Sequence, residues 1–264
     1  MALTESVNLK ELLVAVPDRA QPDHARTGHV LPKEKSAVYN QLLETNDYAS
    51  RNQMKINYKK TKTMLFNPCT SLDFMPNLDL GGHELELVEE MKLLGLVITS
   101  DMKWAANTDY IVKRGYKKLW LMRRLKELGA NQDELKDIYI KQVRSLLELA
   151  VPAWHGAISQ DDRTDIERVQ KAALHIVLGE DYISYKTGLK SLNLLSLDNR
   201  RDKLCLKFAK KASKHPKHQK WFKLNNVDVN TRQEKMKYCS VFAKKNRYQK
   251  RPISYLTTLL NQDK

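Results

Sequence analysis

Three cysteines in 264 residues, at positions 69, 205 and 239, are too few and too widely spaced to build a disulfide framework. They place the chain in a reducing intracellular compartment, cytoplasm or nucleus. No apolar run approaches the roughly 20 residues of a membrane span, so no membrane partner is expected. The first sixteen residues carry Glu5, Lys10 and Glu11 inside their apolar pattern, which argues against a signal peptide. A Gly-rich phosphate loop and a Gly-x-Ser-x-Gly element are both missing. None of the seven histidines begins a His-x-Asp. His215-Pro216-Lys217-His218, with Cys205 and Cys239 nearby, lacks the paired spacing of a four-ligand zinc site. The Asp161-Asp162 pair reads as a helix start. No metal and no cofactor is expected of this chain.

What is present is cationic charge, unevenly placed. The net charge is +15. Residues 1–199 hold 27 basic and 27 acidic side chains, whereas residues 200–264 hold 19 basic against 4 acidic. A neutral body with a basic tail points to a polyanionic partner, nucleic acid first. In that tail Phe208, Trp221, Phe222, Tyr238, Phe242, Tyr248 and Tyr255 are interleaved with lysines and arginines. Two readings stay open: bases of a single strand stack on these rings, or the rings form the core of a small terminal subdomain. A chain ending at Asn199 is expected to bind single strands far more weakly at low salt.

Periodicity divides the chain into four parts. Residues 1–32 form an N-terminal segment whose Pro17 to Pro32 portion is a linker. In residues 33–100, a helix from Lys33 to Gln53 precedes short strands at Met54–Asn57 and Thr63–Phe66, with Lys59, Lys60 and Lys62 at the turn. Pro68 to Pro76 is a loop. A hairpin then joins Leu78–Leu80 to Leu85–Val88 across Gly81-Gly82. Met91 to Thr99 is an apolar strand in which Gly95 admits a close backbone. In residues 101–196 the period turns helical, predicting helices over Asn107–Leu128, from Asn131 or Asp133 to Ala150, and over Ser159–Leu178. Residues 197–264 begin with a basic helix, Leu197–Ser213, and continue as a partly disordered tail. The expected fold class is α+β: a small antiparallel sheet with a packed helix, then a helical bundle and a basic tail.

Asn57-x-x-Lys60-Thr61, then Lys92-Leu93-Leu94-Gly95, then Trp104, Arg144-Ser145, Pro152, Trp154-His155 and Ile166-Glu167-Arg168-Val169-Gln170-Lys171 occur in that order. Together they resemble the C-terminal half of a reverse transcriptase from a non-LTR (LINE-type) retrotransposon, over about residues 2–222. The resemblance implies a rear palm, a primer-grip hairpin and a helical thumb. Such a polymerase uses three palm carboxylates to hold two magnesium ions. This sequence contains no Phe/Tyr-x-Asp-Asp. Magnesium is therefore expected only for an intact polymerase, and no catalytic residue is assigned here. The fingers and front palm would lie upstream of Met1, so a missing N-terminal polymerase half is an implied partner. Gln53 stands where the family usually has glycine, which implies an altered turn.

The resemblance gives Lys60 and Lys62 a role near phosphates. It also turns Lys117, Lys118, Arg123, Arg124 and Lys126 into a strip that follows a nucleic-acid backbone without reading sequence. Arg200, Arg201, Lys207, Lys210 and Lys211 of the tail complete the expected contacts with RNA, DNA or their hybrid. Trp104, Trp120 and Trp154 read as core residues. The expectation is a truncated reverse-transcriptase-like protein, inactive alone, with residual nonspecific nucleic-acid binding. The alternatives are a fragment of an intact RNA-directed DNA polymerase, or a host nucleic-acid-binding module. The reading frame upstream of Met1 separates these two. The lysine-turn segment also resembles part of AlkB-homologue DNA-repair proteins, but the iron site of such a dioxygenase needs His-x-Asp and a distant His.

Overall fold

Local hydrogen bonds at Asn57 override the strand propensity around it. The Asn57 side chain accepts from Lys60 N at 3.2 Å, and its carbonyl accepts from Thr61 N at 3.1 Å and Thr61 Oγ1 at 3.0 Å. Side-chain-to-backbone bonds of this kind compete with ladder pairing. Tyr58–Lys60 is consequently a 3-10 turn, and only Lys62–Thr63 (β1) of the two predicted strands forms. The Asn-x-x-Lys-Thr element is a capped turn.

The computed structural model describes residues 37–64, 66, 78–80, 82–225, 237–239 and 251–263, and the chain falls into two units, 1–103 and 104–264. The architecture is mixed α+β, mostly helical, with small two-stranded sheets. The predicted linker within 1–32, the loop at Pro68–Pro76, and Phe242 and Tyr248 lie outside the described residues.

In the first unit, helix α1 (Ala37–Arg51) buries Leu42 and Ala49. Leu42 joins Leu78, Leu80 and Leu85 in a small core, with Ile56 and Tyr58 against it. The chain leaves α1 through Gln53 at φ 56, a left-handed backbone that crowds a Cβ and suits glycine. The predicted hairpin is shorter than expected: β2 (Asp79–Leu80) pairs antiparallel with β3 (His83–Glu84). The next strand, β4 (Glu86–Leu87), pairs in parallel with β1, placing Lys62 opposite Glu86. The expectation of a purely antiparallel sheet is corrected by that pairing.

Met91 to Thr99 is not one strand. It belongs to a hairpin of β5 (Glu90–Leu93) and β6 (Leu96–Thr99), turned at Leu94 (φ 48) and Gly95 (φ 89). Two central residues with positive φ make a type I′ turn, which favours Asn-Gly. Gly95 is there to turn the chain, and Leu94 is 84% exposed with nothing to pack on.

The second unit starts with α2 (Ala105–Glu127), which buries Ile111, Gly115, Leu119 and Met122. Next come α3 (Gln132–Ile138), a π-helical turn at Tyr139–Arg144 and α4 (Ser145–Leu147), followed by α5 (Val151–Trp154). The single helix predicted to Ala150 is thus interrupted, and Ala150 (φ 48) turns the chain into α5. Helix α6 (Gln160–Leu178) starts at a Ser159–Asp162 capping box and stops at Gly179. Helices α7 (Tyr185–Ser191) and α8 (Leu197–Lys214) follow, and α9 (Pro252–Gln262) lies near the C-terminus.

Helix α9 lies in the tail expected to be partly disordered, of which residues 226–236 and 240–250 lie outside the described residues. It packs on α8 and α5, and Tyr255 lies so close to Gly156 that a Cβ there would meet the Tyr255 Cγ at 2.5 Å. Phe222 and Tyr238 are buried beside the Leu224–Tyr238 bridge, as the terminal-core reading has it for these two rings. Replacing Leu94 by Asn should raise the melting temperature of the first unit, by about 1 kcal/mol of stability, because Asn tolerates the left-handed turn. Calorimetry or thermal circular dichroism checks it.

Candidate nucleic-acid interface

The buried side of α2 determines what its other side presents. Ile111, Gly115, Leu119 and Met122 face inward, and Gly115 brings α2 close to α6, where a Cβ would sit 3.0 Å from Val169 Cγ1. With 3.6 residues per turn, the opposite side is the line through Lys113, Lys117, Trp120 and Arg124. All four are exposed, and Trp120 is 60% exposed. Arg124 stacks over Trp120, its guanidinium carbon 5.8 Å from the ring centroid, and donates to Glu127 at 2.6 Å. Tyr116 and Leu121 flank the line and are exposed too. Lys113, Lys117 and Arg123 form no ion pair among the described residues. An exposed indole among open cations can stack a base and neutralise the phosphates beside it.

The structure distributes the twelve sequence-predicted contacts unevenly. Lys60 is exposed, while Lys62 is paired with Glu86 across β1 and β4, both in the first unit. In the second unit Lys117, Arg123 and Arg124 lie on the outer side of α2, and Lys207 and Lys211 on that of α8. Lys118 is half-buried and donates to Gln142 at 3.0 Å. Lys126 points the other way: its Nζ donates to the Ile176 carbonyl at 2.5 Å, capping the C-terminal end of α6. Lys210 pairs with Asp263 at 2.5 Å. Arg200 grips Glu148, with Nη2–Oε2 at 3.2 Å. Arg201 is 0% exposed. Arg201 is buried and so is corrected to an internal role, whereas Lys126 is exposed and Arg200 half-buried, each with its head group held by an acceptor of the fold. Trp120, expected in the core, is corrected in the opposite direction. Trp154 is buried, and its Nε1 donates to the Leu149 carbonyl at 2.8 Å.

Glu167, Gln170 and His155 form a polar interior. Glu167 accepts from Leu197 N at 3.0 Å, Asp198 N at 3.3 Å and the Tyr185 hydroxyl, thereby capping α8. Gln170 accepts from the Tyr139 hydroxyl and donates to the Tyr185 hydroxyl at 2.8 Å and the Leu195 carbonyl at 3.0 Å. Buried His155 joins α5 to α8. Its Nδ1 accepts from Arg201 Nε at 3.2 Å, which puts the proton on Nε2, where it donates to Asp202 at 2.9 Å. Tyr255 of α9 donates to the same carboxylate, and Arg163 binds Asp198 at 2.5 Å and the His155 carbonyl at 2.9 Å.

No group among the described residues fits a magnesium pair. Among the described residues no three His, Cys, Asp or Glu side chains converge as metal ligands, and Asp198 and Asp202 are bound by Arg163, His155 and Tyr255. Comparison with protein-family models, with curated proteins and with solved structures finds no match in any of the three.

Burial holds the His155 imidazole below its ordinary pKa of 6.5. Hydrogen bonds from His155 and Tyr255 hold Asp202 below 3.8 although burial opposes them. Both groups bind fewer protons folded than unfolded, so each contributes stability that acid removes. The His155 contribution is complete above pH 6.5 and falls away as pH drops through its folded value; that of Asp202 falls away below pH 3.8. Melting temperature should therefore decline on acidification from pH 7 towards pH 5, and His155→Gln should flatten that limb while lowering stability at pH 7.

Proposed function

We propose that this chain is a reverse-transcriptase-like segment of the non-LTR retrotransposon type, corresponding to rear palm, primer grip and thumb. It binds RNA, DNA or their hybrid without sequence preference and does not polymerise by itself. One observation carries the binding reading: Trp120 stands exposed in a row of exposed cations on α2, backed by a tightly packed core. A lone exposed tryptophan costs solvation, and a stacked base removes that cost. The segment reading rests on the order of the sequence words, and it is supported by their local geometry. Asn57 and Thr61 shape the turn that presents Lys60, and Leu94-Gly95 turns the hairpin placed where a primer grip is expected.

The row from Lys113 to Arg124 spans twelve residues, or about 16 Å of helix from first to last. That length suits a few phosphates of one strand, contacted from one side. Such contacts fix position and not sequence. Magnesium chemistry forms no part of the proposal, because the described residues offer no ligand set.

Trp120→Ala should weaken binding of a single-stranded oligonucleotide by roughly 5- to 150-fold, the value of one stacked base, with the melting temperature unchanged. Trp154→Ala should instead destabilise the fold by about 3–5 kcal/mol. If Lys113, Lys117, Arg123 and Arg124 meet four phosphates, log affinity should fall against log salt with a slope of about −3. Fluorescence anisotropy measures both quantities. Unaltered affinity in Trp120→Ala overturns the reading.

A further inference from the structure

The second unit carries another row with the spacing of the first. On α8, Lys203, Lys207, Lys210 and Lys214 repeat the intervals of Lys113, Lys117, Trp120 and Arg124 on α2, and all are exposed. The buried side of α8 (Leu197, Arg201, Cys205, Ala209 and Ala212) lies across the helix from them. Lys203, Lys207 and Lys214 form no ion pair among the described residues, whereas Lys210 has Asp263. Between Asp202 and the end of α8 there is no acidic residue.

Helix α6 shows how the two rows are oriented. Val169 packs on Gly115 of α2, and Glu167 receives the first amides of α8. Two residues along an α-helix are about 160° apart around its axis. Arg163 and Gln170 reach the same end of α8 as Glu167, so α8 starts on a different side of α6 from α2, and each helix turns its basic row away from its own buried side. The exposed strip of α6 between them balances Asp161 and Asp165 against Arg168 and Lys171. The second unit therefore carries two separate cationic faces, one on α2 and one on α8.

We infer that one copy of this protein bridges two nucleic-acid strands, one along α2 and one along α8. The inference rests on the binding reading above and goes beyond it by adding a second strand. Each row is about 16 Å long, matching about five nucleotides along one strand of a duplex. Phosphate repulsion between the two strands is screened beyond a Debye length of about 10 Å. Holding two strands in one complex raises their local concentration, and complementary strands should anneal faster.

The test uses the full chain, a biotinylated oligothymidylate on beads and a second, fluorescent oligothymidylate that cannot pair with it. The second strand should be retained only when protein is present, with one monomer per two strands by sedimentation. Lys203→Gln/Lys207→Gln/Lys214→Gln should keep single-strand binding, carried by α2, within 10-fold, whereas Lys113→Gln/Lys117→Gln/Arg124→Gln removes the α2 contacts and should weaken it. Each should lower retention of the second strand at least 10-fold. Saturation at one strand per monomer, with no second strand retained, overturns bridging and leaves the single-strand reading standing. Absence of any strand binding overturns both. Retention that persists in both triple variants also overturns the assignment to these faces.

Discussion

Glu167 and Gln170, one turn apart on α6, organise the second unit. The carboxylate of Glu167 caps α8, and the amide of Gln170 ties the π-helical turn, α7 and the approach to α8 together. Around them Glu148, Glu167, Asp198 and Asp202 face Arg144, Arg163, Arg200 and Arg201, an equal number of opposite charges. Asp198 and Asp202 are 43% and 38% exposed, so water screens their pairs; the cost of an unpaired buried charge falls on shielded members such as Arg201 and Glu148. The apolar interior, from Ile111 and Leu119 to Ile166 and Leu174, drives collapse. The polar network selects which helices meet.

That division of labour separates the arginines from the lysines. Arg163, Arg200 and Arg201 are held in the interior, where a planar fork can satisfy carboxylates from more than one direction. The cations left outside are mostly lysines, on α2 and α8, together with Arg123 and Arg124. Cutting the chain after Asn199 would remove Arg201, Asp202 and Tyr255, and with them the partners of His155. Loss of binding after such a cut would report unfolding as much as lost charge, so substitutions on the outward rows separate the two effects.

Helices were legible in the sequence where a cap or stop had its own chemistry. Asn131, Ser159 and Gly179 marked boundaries that the structure keeps. The strands were less legible, because the Asn57 side chain and the Leu94-Gly95 turn decide that region by local hydrogen bonds and positive φ that alternation does not encode. Among the basic residues, charge alone misassigned Arg201, since a basic residue reads the same whether it faces solvent or is buried beside an internal carboxylate. Trp120 was misread as core because its type suggests burial; its position opposite Ile111, Leu119 and Met122 was the available signal. Helix α9 carries apolar residues spaced for burial, and the surrounding basic composition masked them.

Trp154 and His155 are buried while Trp120 stands on the outward row of α2, so the proposal that nucleic acid meets that row predicts where contacts form. Photocrosslinking of a 4-thiouridine oligonucleotide to the full chain, followed by peptide mapping, tests it directly. The account expects crosslinks in the peptide holding Tyr116 and Trp120 and none in the peptide holding Trp154 and His155. Crosslinks confined to other peptides, with α2 unmarked, would contradict it.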